Sequence, residues 1–281
     1  MSSINSVTGS TLNQLENYFN DNKTSYQYTM DQLSTGTKYT SMKDNPFEVA
    51  KSVKLSVQIN TNTRASSNVA IGQDVLSLAA DSETSVVDNI SRIHDLCVQI
   101  SNGPYSSTDK DAILQEIKSR LSYIDTVSST TQFNGMNLLD GSSSSMTLQV
   151  GSKATNILNV GDALMDVSTT ALDINLDSVT SADTWTTTDI NTYMDKLDAA
   201  SNELINSSSK IGAYQNRLST ISESLTSMNT DLTQKKSDIM DVDVASATSD
   251  LVKYQILQEY SVNILTQANN ISSLALNLLN K

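Results

Sequence analysis

Cysteine, histidine and proline are nearly missing from this chain of 281 residues, which holds one, one and 2 of them. A lone Cys97 cannot close an internal disulfide, and with only His94 beside it the chain is far short of a zinc ligand set. His94 is also the sole base available to a serine nucleophile; it lies mid-helix next to Ile93, with no strand-to-helix elbow nearby. None of the 9 glycines takes the spacing of a phosphate loop or a dinucleotide fingerprint. The acidic run Asp238, Asp241, Asp243 lacks the turn glycine and closing glutamate of an EF-hand loop and reads as a solvated helix start or hinge. No catalytic residue, cofactor or metal is expected.

Apolar material is also scarce. Hydrophobic residues make up 38% of the chain and aromatics 5%, thin stock for a compact globule but enough for long helices that each bury one narrow stripe. No segment approaches the roughly 18 to 20 apolar residues of a membrane span. The start, Met1 to Ser10, is neither basic nor apolar, so a signal peptide is not expected. Positive charge is the last shortage: 18 scattered Lys and Arg against 31 Asp and Glu leave a net charge of -13, which disfavours nucleic acid and anionic membrane surfaces as partners.

What the sequence does have is periodicity. Tyr254, Leu257, Ser261, Ile264, Ala268, Ile271, Ala275 and Leu278 follow at alternating steps of three and four, a coiled-coil seam. No Gly or Pro interrupts it from Leu251 to Leu279, about 43 Å at ~1.5 Å per residue. A partner helix is marked at the other end by Leu12, Leu15, Phe19, Tyr26, Met30 and Leu33, stopping before Gly36. The residues alone leave parallel and antiparallel pairing open. Further helices carry Val86, Ile90, Ile93, Cys97 and Ile100, then Ile113, Ile117, Leu121 and Ile124, then Tyr214, Leu218, Ile221, Leu225, Met228 and Leu232. Cys97 reads as a small core residue. Between about Gly141 and Asp189 the composition turns to Ser, Thr, Asp and Gly, with Met146–Val150 and Ile157–Val160 reading as a hairpin and Ser178–Asp189 as a surface connection.

Short segments in both halves carry a resemblance. They are Leu33-Ser34-Thr35-Gly36 followed by Lys43-Asp44, the run Arg92 to Gln99, and Thr131-Gln132-Phe133-Asn134-Gly135 with Leu138-Leu139. The second half adds Ile211 to Leu218, Ile239-Met240-Asp241-Val242-Asp243, and Leu265-Thr266-Gln267-Ala268-Asn269. In order and spacing these resemble the terminal regions of bacterial flagellins. Asp44-Asn45-Pro46-Phe47-Glu48 departs from the flagellin pattern and is closer to the hook-filament junction protein, a hook-associated relative that stands as the alternative reading.

The resemblance implies a mainly α fold: a long antiparallel helical rod with a small β-hairpin and coiled-coil terminal helices. Residues 1–43 with 242–281 would form a terminal, inner-tube domain; 44–165 with 190–241 an outer-tube rod; 166–189 a short variable connection. The implied function is a secreted structural subunit that polymerises with itself into the extracellular flagellar filament for motility, with the export apparatus, filament cap and junction proteins as partners. Terminal helices with few other core residues would be poorly stable alone and would order when neighbours bury them. The expected filament interface is Leu12, Leu15, Phe19, Leu33, Leu257, Ile264, Ala268, Ile271 and Leu278. Flagellins detected by Toll-like receptor 5 present Arg and Leu on one rod helix and Glu on the next, and Arg92, Leu96 and Glu116 occupy those motif positions. Arg92 and Leu96, four apart, are expected to share a face distinct from the Val86, Ile90, Ile93, Cys97 stripe.

Overall fold

The structure, a computed structural model, describes residues 2–102 and 104–279, and the side-chain surroundings of 13–102, 104–268 and 270. Helices dominate: α1 (Ser2–Thr35), α2 (Pro46–Ile100), α3 (Ser107–Thr130), α4 (Thr187–Met240) and α5 (Val244–Leu279). Between α3 and α4 lie β1 (Gln132–Phe133), β2 (Met136–Asn137), β3 (Thr147–Gln149), β4 (Ile157–Asn159) and two short 3-10 turns, Gly161–Ala163 and Ala182–Thr184.

The helix starts follow from local chemistry. Asn45 caps α2, its Oδ1 accepting the Glu48 N–H at 3.2 Å, and Pro46 takes the first helical position, where a missing N–H costs nothing. Ser106 and Asp109 form a reciprocal capping box at α3, and Thr186 and Asp189 form another at α4. Asp243 accepts the Ala245 N–H at 3.0 Å, so one member of the acidic run caps α5. At the other end of α1, Gly36 takes the left-handed conformation (φ 70°) that stops the helix.

The chain divides into two compact units, residues 1–59 with 230–281, and residues 60–229. In the second, side-chain contacts fix the helix directions. Thr63 meets Asn229, Ser77 meets Gln215, Glu83 meets Ser207, and His94 lies 3.9 Å from Asp198, so α4 runs antiparallel to α2. The pairs Ser85–Tyr123, Asn89–Arg120 and Arg92–Glu116 set α3 antiparallel to α2 as well. The core lies within this unit, from Ala65 to Leu225.

The predicted hairpin is present: β3 and β4 pair antiparallel, with Leu148 opposite Leu158. It docks through Asn68, whose Nδ2 donates to the Gln149 carbonyl at 3.0 Å. A second, smaller hairpin joins β1 to β2 through Asn134-Gly135, both at positive φ, the dipeptide a type I′ turn prefers.

Residues 166–189, read as a short variable connection with Ser178–Asp189 at the surface, are in part buried. Val167, Leu172, Ile174, Leu176, Ala182 and Trp185 are buried in the core. The Tyr193 hydroxyl donates to the Ile174 carbonyl at 2.8 Å, Asp125 accepts the Thr169 N–H, and Asp111 accepts the Ala182 N–H. The segment is aperiodic because it is fastened point by point to α3 and α4, a pattern without a repeat.

Candidate assembly interface

In the unit formed by residues 1–59 and 230–281, α1 and α5 run antiparallel. Beyond the end of α1, Thr37 pairs with Asp241, the Lys38 N–H donates to the Met240 carbonyl at 2.6 Å, and the Val242 N–H donates to that of Gly36 at 3.1 Å. Further from this clasp, Phe19 and Lys23 line a groove of about 500 Å³ with Gln258, Glu259, Val262 and Asn263. Position falls along α5 as it rises along α1, which settles the pairing direction.

The clasp is built from side chains that bond to backbone. Tyr28 Oη and Gln32 Nε2 both donate to the Lys38 carbonyl. Asp44 accepts the N–H groups of Ser41 and Thr40 at 2.8 and 2.9 Å, and these bonds, Ser41's foremost, hold its carboxyl below the usual carboxylate range. Burial, then the nearby Asp44, pushes the Tyr28 phenol up.

The covered stripe of α1 is Leu15, Phe19, Asn22, Tyr26, Thr29 and Leu33; that of α5 is Leu251, Tyr254, Gln258, Ser261, Leu265 and Ala268. Both advance by three and four, as a coiled-coil pair requires. Four of the twelve, Asn22, Thr29, Gln258 and Ser261, are polar, so the seam buries little apolar surface. Among the residues of this unit whose side-chain surroundings are described, only Thr29, Ser52 and Ala247 are buried.

Apolar side chains stand instead on the outer faces. Tyr18 is 67% exposed and Tyr260 65%, and Phe47, Val53, Val57, Val244, Val252, Ile256 and Val262 are also exposed. Of the expected interface residues, Leu15, Phe19, Leu33 and Ala268 fall in the covered seam, while Leu257 and Ile264 are exposed beside it, the latter 48%. Leu12, Ile271 and Leu278 lie outside the residues whose side-chain surroundings are described. The covered positions are Gln258 and Leu265, one residue on from the pair that apolar periodicity selects. Leu257, Tyr260 and Ile264 form a second stripe with no cover.

The other expected surface needs a correction. Leu96 is 1% exposed, in the core, and so does not present itself beside Arg92. Helix α2 is flanked by both α3 and α4, so it buries a stripe wider than the single row the sequence suggests, and Leu96 falls on its margin. Arg92 and Glu116 do reach the surface, their charged groups 4.0 Å apart, with Arg120 bonding the same Glu116 oxygen at 3.0 Å. Cys97 is fully buried, and burial pushes its thiol up to about 12, which leaves it inert. Among the described residues no helix is long and apolar enough to cross a membrane.

Comparison with known proteins matches both halves of the chain. The model of the bacterial flagellin N-terminal helical region matches residues 7–144, and that of the C-terminal helical region matches 194–279. Flagellin of Bacillus subtilis is 32% identical, covering 96% of this chain and 96% of its own length. The flagellar filament 33 kDa core protein of Treponema phagedenis is 31% identical over 91% of this chain and 92% of its own length. Among solved structures, one described as a flagellar hook-associated protein of Vibrio parahaemolyticus superposes with a TM-score of 0.58, covering 70% of this chain and all of its own, at 15% identity, a likeness of fold alone.

Proposed function

The chain belongs to the bacterial flagellin family and is a structural subunit of the flagellar filament; from that premise we propose that the uncovered apolar stripe of α5, with the exposed Tyr18 of α1, is where successive copies bind one another. The observation that carries this is the imbalance between the units. One has a continuous core from Ala65 to Leu225, and the other leaves Tyr18, Leu257, Tyr260 and Ile264 in solvent with almost nothing buried beneath them. Apolar surface of that kind is stabilised when neighbours exclude water from it, at roughly 25 cal/mol per Å². A heterologous contact that does not close into a ring extends the assembly without limit, giving an open helical polymer.

In this reading the seam residues Leu15, Phe19, Leu33 and Ala268 hold α1 to α5 within one copy, and Leu257 and Ile264 reach the next. The chain leaves the cell through the flagellar export apparatus, meets cap and junction proteins at the filament ends, and works outside the cell as part of the motility appendage. For Toll-like receptor 5, the available contact is the charged group Arg92, Glu116 and Arg120, with Leu96 holding that part of α2 in place from beneath.

Electron microscopy of the purified chain after seeding, beside the same chain cut to residues 44–241, tests the assembly role. Long filaments from the full chain and none from the shortened one are expected. Stubs or monomers from both would overturn the assembly role given to the terminal helices.

A further inference from the structure

The buried stripe of α2 runs Ala65, Val69, Gly72, Leu76, Ala79, Glu83, Val86, Ile90, Ile93, Cys97, Ile100, at unbroken steps of four and three. That of α4 runs Ile190, Tyr193, Leu197, Ala200, Leu204, Ser207, Ile211, Tyr214, Leu218, Ile221, Leu225, at the same steps, with Tyr214 and Ile221 partly buried. Three contacts show how they mesh: Gly72 against Leu218, Ser77 against Gln215, and Glu83 against Ser207. Eleven residues forward on α2, from Gly72 to Glu83, match eleven back on α4, from Leu218 to Ser207.

A seam of this kind carries an ambiguity. Sliding one helix past the other by seven residues, about 10 Å at ~1.5 Å per residue, again sets apolar positions against apolar positions. Midway along each stripe stands a polar side chain, Glu83 in α2 and Ser207 in α4, and in the observed register the two coincide; Tyr193, near the end of the α4 stripe, gives its hydroxyl to the Ile174 carbonyl instead. Glu83 is fully buried. Its Oε1 accepts the Ser207 hydroxyl at 2.7 Å and its Oε2 accepts that of Ser208 at 3.0 Å. Among the described residues no Lys or Arg pairs with it.

We propose that the Glu83, Ser207 and Ser208 layer is a register latch that allows α2 and α4 a single axial alignment. A slide of one heptad would put Glu83 opposite Ala200 or Tyr214, and Ser207 opposite Leu76 or Ile90. Either takes the Ser207–Ser208 pair away from a buried carboxyl group: toward Ala200 one oxygen loses its donor outright, and toward Tyr214 a ring stands where the small Ser207 hydroxyl fits, a costly error in a core. The latch works by penalising the alternatives, as a single polar position does in a coiled coil. Its consequence for a polymer subunit is that every copy offers its neighbours the same surface, because the register fixes the outward residues of α2 against those of α4.

The test uses the full chain in a Cys97→Ala background with cysteine pairs as rulers. Ser77 and Gln215, whose side chains lie 3.3 Å apart, report the native register as Ser77→Cys with Gln215→Cys. Ser77→Cys with Ser222→Cys, and Ala70→Cys with Gln215→Cys, report slides of one heptad in either direction. With Glu83 present, only the native pair should oxidise, and the same should hold for Glu83→Gln, which keeps both serine bonds. In Glu83→Leu and Glu83→Ala a shifted pair should rise from background by roughly tenfold or more, since each ~1.4 kcal/mol taken from the discrimination is a factor of ten. Native-pair oxidation alone in both apolar variants would overturn the latch and assign the register to the docking of the hairpin on Gly72. Shifted oxidation in Glu83→Gln would overturn it too.

Discussion

Ile264 and Leu265 are neighbours in sequence and opposites in setting, which makes them a sharp probe of the assembly surface. Ile264 is 48% exposed on the uncovered stripe of α5, whereas Leu265 is part of the stripe that packs on α1. Full burial of an isoleucine stabilises by about 1.5–3 kcal/mol, so the half left in solvent represents about 1 kcal/mol to be gained on assembly. Ile264→Asp forfeits that gain and adds the cost of desolvating a carboxylate at the contact, at least the about 1–3 kcal/mol that a neutral polar group costs. The loss per subunit is then about 2–4 kcal/mol, which raises the critical concentration for polymerisation by roughly 30-fold or more. Seeded polymerisation followed by sedimentation measures that concentration, with circular dichroism of the unassembled chain as control. Ile264→Asp should leave the monomer's helix content and melting unchanged, while Leu265→Asp should lower the helix content of the unassembled chain. An unchanged critical concentration for Ile264→Asp would refute the argument that the exposed stripe is a contact.

Two further outcomes rest on the core unit. Gly161→Ala would place a Cβ within contact distance of the Ser143 carbonyl oxygen and the Ser144 backbone, which cannot turn aside as a side chain can, and should cost about 2 kcal/mol or more in chemical denaturation. Glu83 is an acid whose folded pKa is raised, by burial foremost, against the lowering effect of its two serine bonds. Stability linked to it is therefore fully present below the unfolded pKa and lost as pH rises through the folded value. Glu83→Gln should unfold at a higher temperature than the parent at neutral pH, with the gap closing in acid; a gap that widens in acid would contradict the sign.

Much of this was legible in the residues because it depends on local spacing. The unbroken α5 helix, the stop of α1 at Gly36 and the β3–β4 hairpin follow from periodicity and turn chemistry that a few neighbouring residues carry. Asn134-Gly135, which lies within the family motif, also carries a turn preference that needs no tertiary knowledge and marks the β1–β2 hairpin. The segment from Val167 to Trp185 was not, because its order comes from Asp111, Asp125 and Tyr193, distant in the chain, and leaves no repeat to read.

The sequence by itself determined that the chain would be helical, that its ends would pair, and that its one histidine, one cysteine and 9 glycines do not take the spacing of a triad, a zinc set or a phosphate loop. Hydrophobic period and composition suffice for those conclusions, since they are properties of one element at a time. Only the tertiary structure decided the sides. A heptad permits either Leu257 or Gln258 to face the partner, and packing put Gln258 and Leu265 inside and left Leu257 and Ile264 out. Leu96 went into the core because α2 has two neighbours, and Glu83 became tolerable there because Ser207 and Ser208 arrive from 124 and 125 residues away. Which face is covered depends on what stands opposite, and no single helix carries that information.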